Sequence, residues 1–162
     1  MSMIGIFCRV SPVTAHHAMT DAASAERLFH SSGLDADHVL NVEKTWHAIH
    51  FVLNGQPWPN DGILSQVVFG GEPFGDDLGY GPARCVDPTT VNAIAEELRS
   101  IDSDAIVAAM DLSRLDEADI YPGGWLDEGD NGRRYIADHL RALCAFYAIA
   151  ARNEEAVIAW LS

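Results

Sequence analysis

The sequence predicts an α/β fold, with α+β as the alternative: one three-layer αβα-like domain over residues 1–162, helices covering both faces of a small mixed sheet. Both ends of the chain, MIGIFCRV and AVIAWLS, are apolar on both sides, the pattern of strands in a sheet interior. The pairs Ser11-Pro12 and Asp87-Pro88 each combine a capping side chain with a pre-bent first residue, which marks helix starts between those strands. With 48% apolar residues in 162, the chain can bury a core without needing a linker.

Residues 3–10 form the first strand, followed by a helix from Ser11-Pro12 to Met19. Thr20 or Asp21 caps a second short helix through Leu28 and Phe29, which ends by Gly33. His16, His17, His30 and His38 fall in this polar region and read as surface residues without a role. Asp37 caps the next helix, whose apolar residues Val39, Val42, Trp46, Ile49 and Leu53 recur at steps of three and four and close at Asn54-Gly55. Lys44, His47 and Phe51 share a second face of it.

After the Pro57-Trp58-Pro59 turn, residues 63–69 are expected as a strand and residues 83–86 as another. Asp87-Pro88 starts a helix that buries Val91, Ile94, Ala95 and Leu98. Two short helical pieces follow, around 103–110 and 113–119. Asp130 or Asn131 then opens a long amphipathic helix with Tyr135, Ile136, His139, Leu140, Leu143, Phe146 and Tyr147 at helical spacing. The terminal strand belongs next to or near the first.

Composition excludes several classes. A net charge of −14, with Lys44 the only lysine, argues against nucleic acid and anionic membrane surfaces, since both need basic patches. A partner selected by charge should be cationic. The opening MSMIGIFCRV is short, lacks a basic lead-in and stops at Arg9, so it fits neither a signal peptide nor a membrane span and points to the cytoplasm. Cys8, Cys85 and Cys144 are widely spaced in apolar contexts and read as buried thiols, a reactive or metal-bound cysteine being the alternative.

Between Val67 and Val86 lie Gly70, Gly71, Gly75, Gly79 and Gly81 with Pro73 and Pro82, which requires a shaped loop. It contains neither GxGxxG nor a P-loop, and Glu72, Asp76 and Asp77 would repel phosphate, so a nucleotide cradle does not fit. The acidic run from Asp111 to Asp130 reads as a solvated surface, but DIYPGGW inside it, Asp119 to Trp125, carries aromatics that an exposed turn does not need. It is expected to fold back onto the body.

Taken in order, the segments resemble the YfbM-like family of bacterial proteins, whose function is not established. The resemblance rests on the N-terminal MIG with its Ser-Pro helix start, on TWHAIHFVLNG from Thr45 to Gly55, on GGEP from Gly70 to Pro73, on LGYGPAR from Leu78 to Arg84, on DIYPGGW and on the last strand. It covers nearly the whole chain and implies a three-layer α/β domain. It brings no catalytic residues.

Two functions from different classes fit these residues. In the first, the chain binds a small molecule or a cationic protein partner in a cleft formed by the glycine loop, the second face of the Trp46 helix and DIYPGGW. Trp46, Tyr80, Tyr121 and Trp125 would supply aromatic surface, and Glu72, Asp77, Asp119 and Arg84 oriented charge. In the second, a small-molecule enzyme or metal-dependent hydrolase uses His47 or His50 as base or ligand, with Glu72 or Asp77 as carboxylate and Arg84 on an anionic substrate group. A lone HxxH is weak support for a metal, no metal site is assigned, and the sequence identifies no cofactor. The bland alternative is that His50 packs against Trp46 and Leu53 with one satisfied hydrogen bond and that His47 is a surface or second-face residue.

Overall fold

The structure, a computed structural model, describes residues 2–30 and 35–162, the side chain of His30 apart; the predicted helix end at Gly33 lies outside them. Strand β1 (Gly5–Val10) leads into helices α1 (Pro12–Thr20) and α2 (Ala22–His30). Ser11 Oγ accepts the Thr14 N–H and Asp21 Oδ2 the Ser24 N–H, so both helices start where capping chemistry places them. A short edge strand β2 (Val39–Asn41) precedes α3 (Trp46–Asn54), whose left-handed cap is Gly55. Helix α4 (Gln66–Phe69), strands β3 (Glu72–Phe74) and β4 (Ala83–Val86), helices α5 (Pro88–Leu98), α6 (Ser103–Ala108), α7 (Ser113–Glu117) and α8 (Trp125–Arg152), and strand β5 (Ala156–Leu161) complete the chain.

All five strands join one sheet in the order β2-β1-β5-β4-β3, so the first and last strands are both interior. The sheet is antiparallel throughout rather than mixed, making the fold α+β. The cause lies at the end of α8: the turn after it delivers Ala156 opposite Val10, so β5 starts where β1 stops and must run back along it.

Side chains alternate between two cores. Phe7, Val86, Val157 and Ala159 face a large cluster with α3, α5 and α8, and Cys8, Val10, Cys85 and Ile158 face a smaller one beneath α1 and α2. Helices therefore cover both faces, as the sequence predicts. Each fully buried Ile, Leu or Phe contributes about 1.5–3 kcal/mol, and the large cluster includes Ile49, Ile94, Leu140 and Leu143 with essentially no exposed surface.

Four elements differ from expectation. Val39–Asn41 is a strand, and α3 begins only at Trp46, because pairing Leu40 with Phe7 completes the sheet edge and outweighs local helical spacing. Residues 63–69 are helical, a short turn at Ile63–Ser65 followed by α4; an apolar run this short has no period of its own, and packing against α3 decides it. The glycine-rich stretch contains β3, a hairpin with β4, where Gly71 (φ +88°) passes so close to Cys85 that a Cβ would lie 2.4 Å from its carbonyl. The long helix begins at Trp125, one turn early, with a break at Gly129 before the segment predicted from Asp130. Among the described residues no helix is long and apolar enough to cross a membrane.

Candidate functional site

Helix α3 builds the site from two faces. Ile49 and Val52 turn into the core, and Trp46, His47 and His50 meet the loops beyond it. His47 Nε2 lies 3.0 Å from the Pro57 carbonyl, which can only accept, so Nε2 carries the proton and Nδ1 is free to accept the Tyr121 N–H at 3.0 Å. His50 repeats the device: Nε2 donates to the Trp58 carbonyl at 3.2 Å, and Nδ1 faces the Asn54 amide at 3.3 Å. Burial holds both imidazoles below their ordinary pKa, the desolvation outweighing the carbonyl bonds, and His47 adds a smaller downward push on His50. Both are neutral struts.

The consequence is at Trp58. Its backbone and that of Pro57 are pinned by the two histidines, and its indole stands 67% exposed, centred 5.6 Å from the His47 ring. Opposite stands the Tyr121 turn. Trp46 stacks on Tyr121 at 5.8 Å, with Phe69 edge-on at 5.9 Å. The two stacked rings also clasp one residue's backbone: Met3 N–H donates to Tyr121 Oη, and Trp46 Nε1 donates to the Met3 carbonyl.

Around these rings are two adjoining cavities with Trp46, Phe69 and Leu161 in both walls. The larger, about 660 Å³, lies between Trp58, His47 and the turn from Asp119 to Gly124. The smaller, about 210 Å³, lies under the glycine loop, between Tyr80, Arg84, Gly5 and Phe7. Gly5 is needed here, since a Cβ would sit 2.9 Å from the Trp46 Cβ.

Of the residues singled out in the sequence, Trp46, His47, Asp119 and Tyr121 line the larger cavity, and Trp46, Tyr80 and Arg84 the smaller. The others do not. His50 is fully buried; Trp125 is buried with its Nε1–H on the Ile120 carbonyl. Glu72 is paired with Cys85, which puts it on the sheet face away from Arg84. Asp77 closes the glycine loop, Oδ1 accepting the N–H groups of Gly79 and Gly81. Neither carboxylate is hydrogen-bonded to His47, His50 or Arg84 among the described residues, and no group of three or more His, Cys, Asp or Glu there could hold a metal ion. The pairing of the histidines with Glu72 or Asp77 is thus replaced by backbone carbonyls. Pattern reading missed Met3, Trp58, Phe69 and Leu161; a Trp between two prolines was the one local signal.

The chain matches the family described as Domain of unknown function (DUF1877) over residues 1–160. No curated protein matches it significantly. Among solved structures it is similar to a protein of unknown function, YfbM from Escherichia coli, at 21% identity with a TM-score of 0.78, over 99% of this chain and 100% of that one. At that identity the likeness concerns the fold.

Proposed function

The chain belongs to the DUF1877 family of unknown function, and we propose that it is a recognition protein whose aromatic cleft takes a cationic group between Trp58 and the Tyr121 turn. The observation that carries this is the exposed Trp58 indole, borne on backbone that two buried neutral histidines hold at the Pro57 and Trp58 carbonyls. Two desolvated imidazoles are a costly way to hold the backbone under an exposed ring unless that segment's position matters. Trp58 and Tyr121, both in the cavity wall, offer aromatic surface that attracts a desolvated cation. Asp119, with no ion pair among the described residues, supplies a carboxylate at the rim, and a chain of net charge −14 raises the local concentration of cations.

The test uses butyltrimethylammonium as probe, followed by tryptophan fluorescence and calorimetry. Saturable millimolar binding that weakens about tenfold in Trp58→Ala, with unchanged melting, is expected. No binding, or binding indifferent to Trp58, overturns the proposal.

A further inference from the structure

The smaller cavity differs from the larger in its charge. Arg84 projects from β4 on the same sheet face as Phe7 and Ala159, to which the register assigns it, and lines the cavity beside Tyr80 and Trp46. Its Nε and Nη2 donate to the carbonyls of Gly70 and Gly71, at 3.3 and 2.8 Å, which anchors the head group against the start of the glycine loop. That leaves Nη1 and one hydrogen of Nη2 without a protein acceptor among the described residues. No carboxylate lies within ion-pair distance of it there either, although the chain has 24 acids for 10 basic side chains. The nearest acids in sequence are turned away: Glu72 by strand register, Asp77 by its bonds to Gly79 and Gly81.

A half-buried guanidinium, fixed through one edge and presenting its other donors beside aromatic rings, is suited to a planar anion. We infer that the cavity under the glycine loop is a carboxylate subsite, with Arg84 as the anion's partner. A carboxylate fits these donors by its planar, two-oxygen geometry, and the ring-lined, narrow cavity favours one borne on an apolar body. Trp46 and Phe69 wall both cavities, so the two lie side by side. The carboxylate subsite does not rest on the function proposed above.

The test compares hydrocinnamate with hydrocinnamamide on the full chain, by calorimetry and by the Arg84 Nε–H resonance in nitrogen–proton NMR. The acid is expected to bind about tenfold more tightly than the amide, to shift the Arg84 resonance, and to lose its advantage in Arg84→Gln. Tyr80→Ala, at a half-exposed site that leaves the charge in place, should weaken acid and amide alike. Equal affinities of acid and amide, an unmoved Arg84 resonance, or an acid preference that survives Arg84→Gln overturns the inference; the NMR readout decides on the unaltered protein if that variant does not fold. Butyltrimethylammonium binding without an acid preference removes the carboxylate subsite and leaves the recognition function standing. An acid preference without cation binding does the reverse.

Discussion

His47 Nδ1 accepts the backbone N–H of Tyr121 at 3.0 Å, across 74 residues of sequence. The same ring donates to Pro57, so one neutral imidazole ties the two walls of the larger cavity together. Protonation would put a second N–H against the Tyr121 N–H and break that tie.

Stability should therefore depend on acid. His47 and His50 both have folded pKa values below the ordinary imidazole range, so below about pH 6.5 the unfolded chain binds protons that the folded chain refuses. Their contribution is complete above that pH and falls as pH drops toward the folded values, by up to about 1.4 kcal/mol per pH unit for each histidine. Denaturant melts of the wild type and of His47→Gln between neutral and mildly acidic pH check this. A wild-type profile no steeper than the variant's would contradict it.

The buried pair of Arg9 and Glu155 gives a second expectation. Arg9 Nη1 lies 2.8 Å from Glu155 Oε2, its Nη2 donates to the Asp37 carbonyl, and the guanidinium sits 5.5 Å from the Phe146 ring centre. Arg9 Nε has no partner within the described residues. Removing only the carboxylate, as in Glu155→Ala, should cost about 3–5 kcal/mol by stranding the charge. Arg9→Met combined with Glu155→Met should cost much less, and an additive double-mutant cycle would show that the pair is uncoupled.

Gly71→Ala should destabilise the β3–β4 hairpin by more than about 2 kcal/mol, since a Cβ at φ +88° collides with backbone of β4 that cannot move aside. Gly75→Ala, also at positive φ but with open space around it, should cost less. Equal melting shifts for the two would show that the close approach carries no weight.

Thiol labelling supplies a fourth check. Burial pushes the Cys8 and Cys85 thiols up to about 11, and Cys144 is raised by the same cause. At about pH 8 Cys8 and Cys85 should not react appreciably with a thiol reagent in the folded protein, and should in denaturant; Cys144, read from the sequence as buried, is only partly so and should label faster than either. Rapid native labelling at Cys8 or Cys85 would refute the burial.

Features under the control of short-range chemistry were legible in the order of residues alone. Ser11-Pro12 and Asp87-Pro88 start their helices because a side-chain acceptor and a fixed φ act within one turn. The strands at the two ends of the chain are interior because they are apolar on both faces, and Gly55 ends α3 because few other residues take its left-handed conformation cheaply. Trp46, His47 and Tyr121 could be selected as a group because aromatic and titratable residues in a turn and along one helix have no purely local use.

The remaining features were settled by long-range packing. Whether Val39–Asn41 or residues 63–69 became strand or helix depended on Phe7 and on α3, partners outside the segments themselves. Local spacing carries no information about them. The same holds at the site: His47 and His50 looked like bases or ligands, and became struts because the Pro57 and Trp58 carbonyls lay within reach. Glu72 looked like a carboxylate of the same cleft as Arg84, but side chains alternate along a strand, and register with Cys85 sent it to the other face. Residue type says what a group can do; register and the folded path decide what stands opposite it.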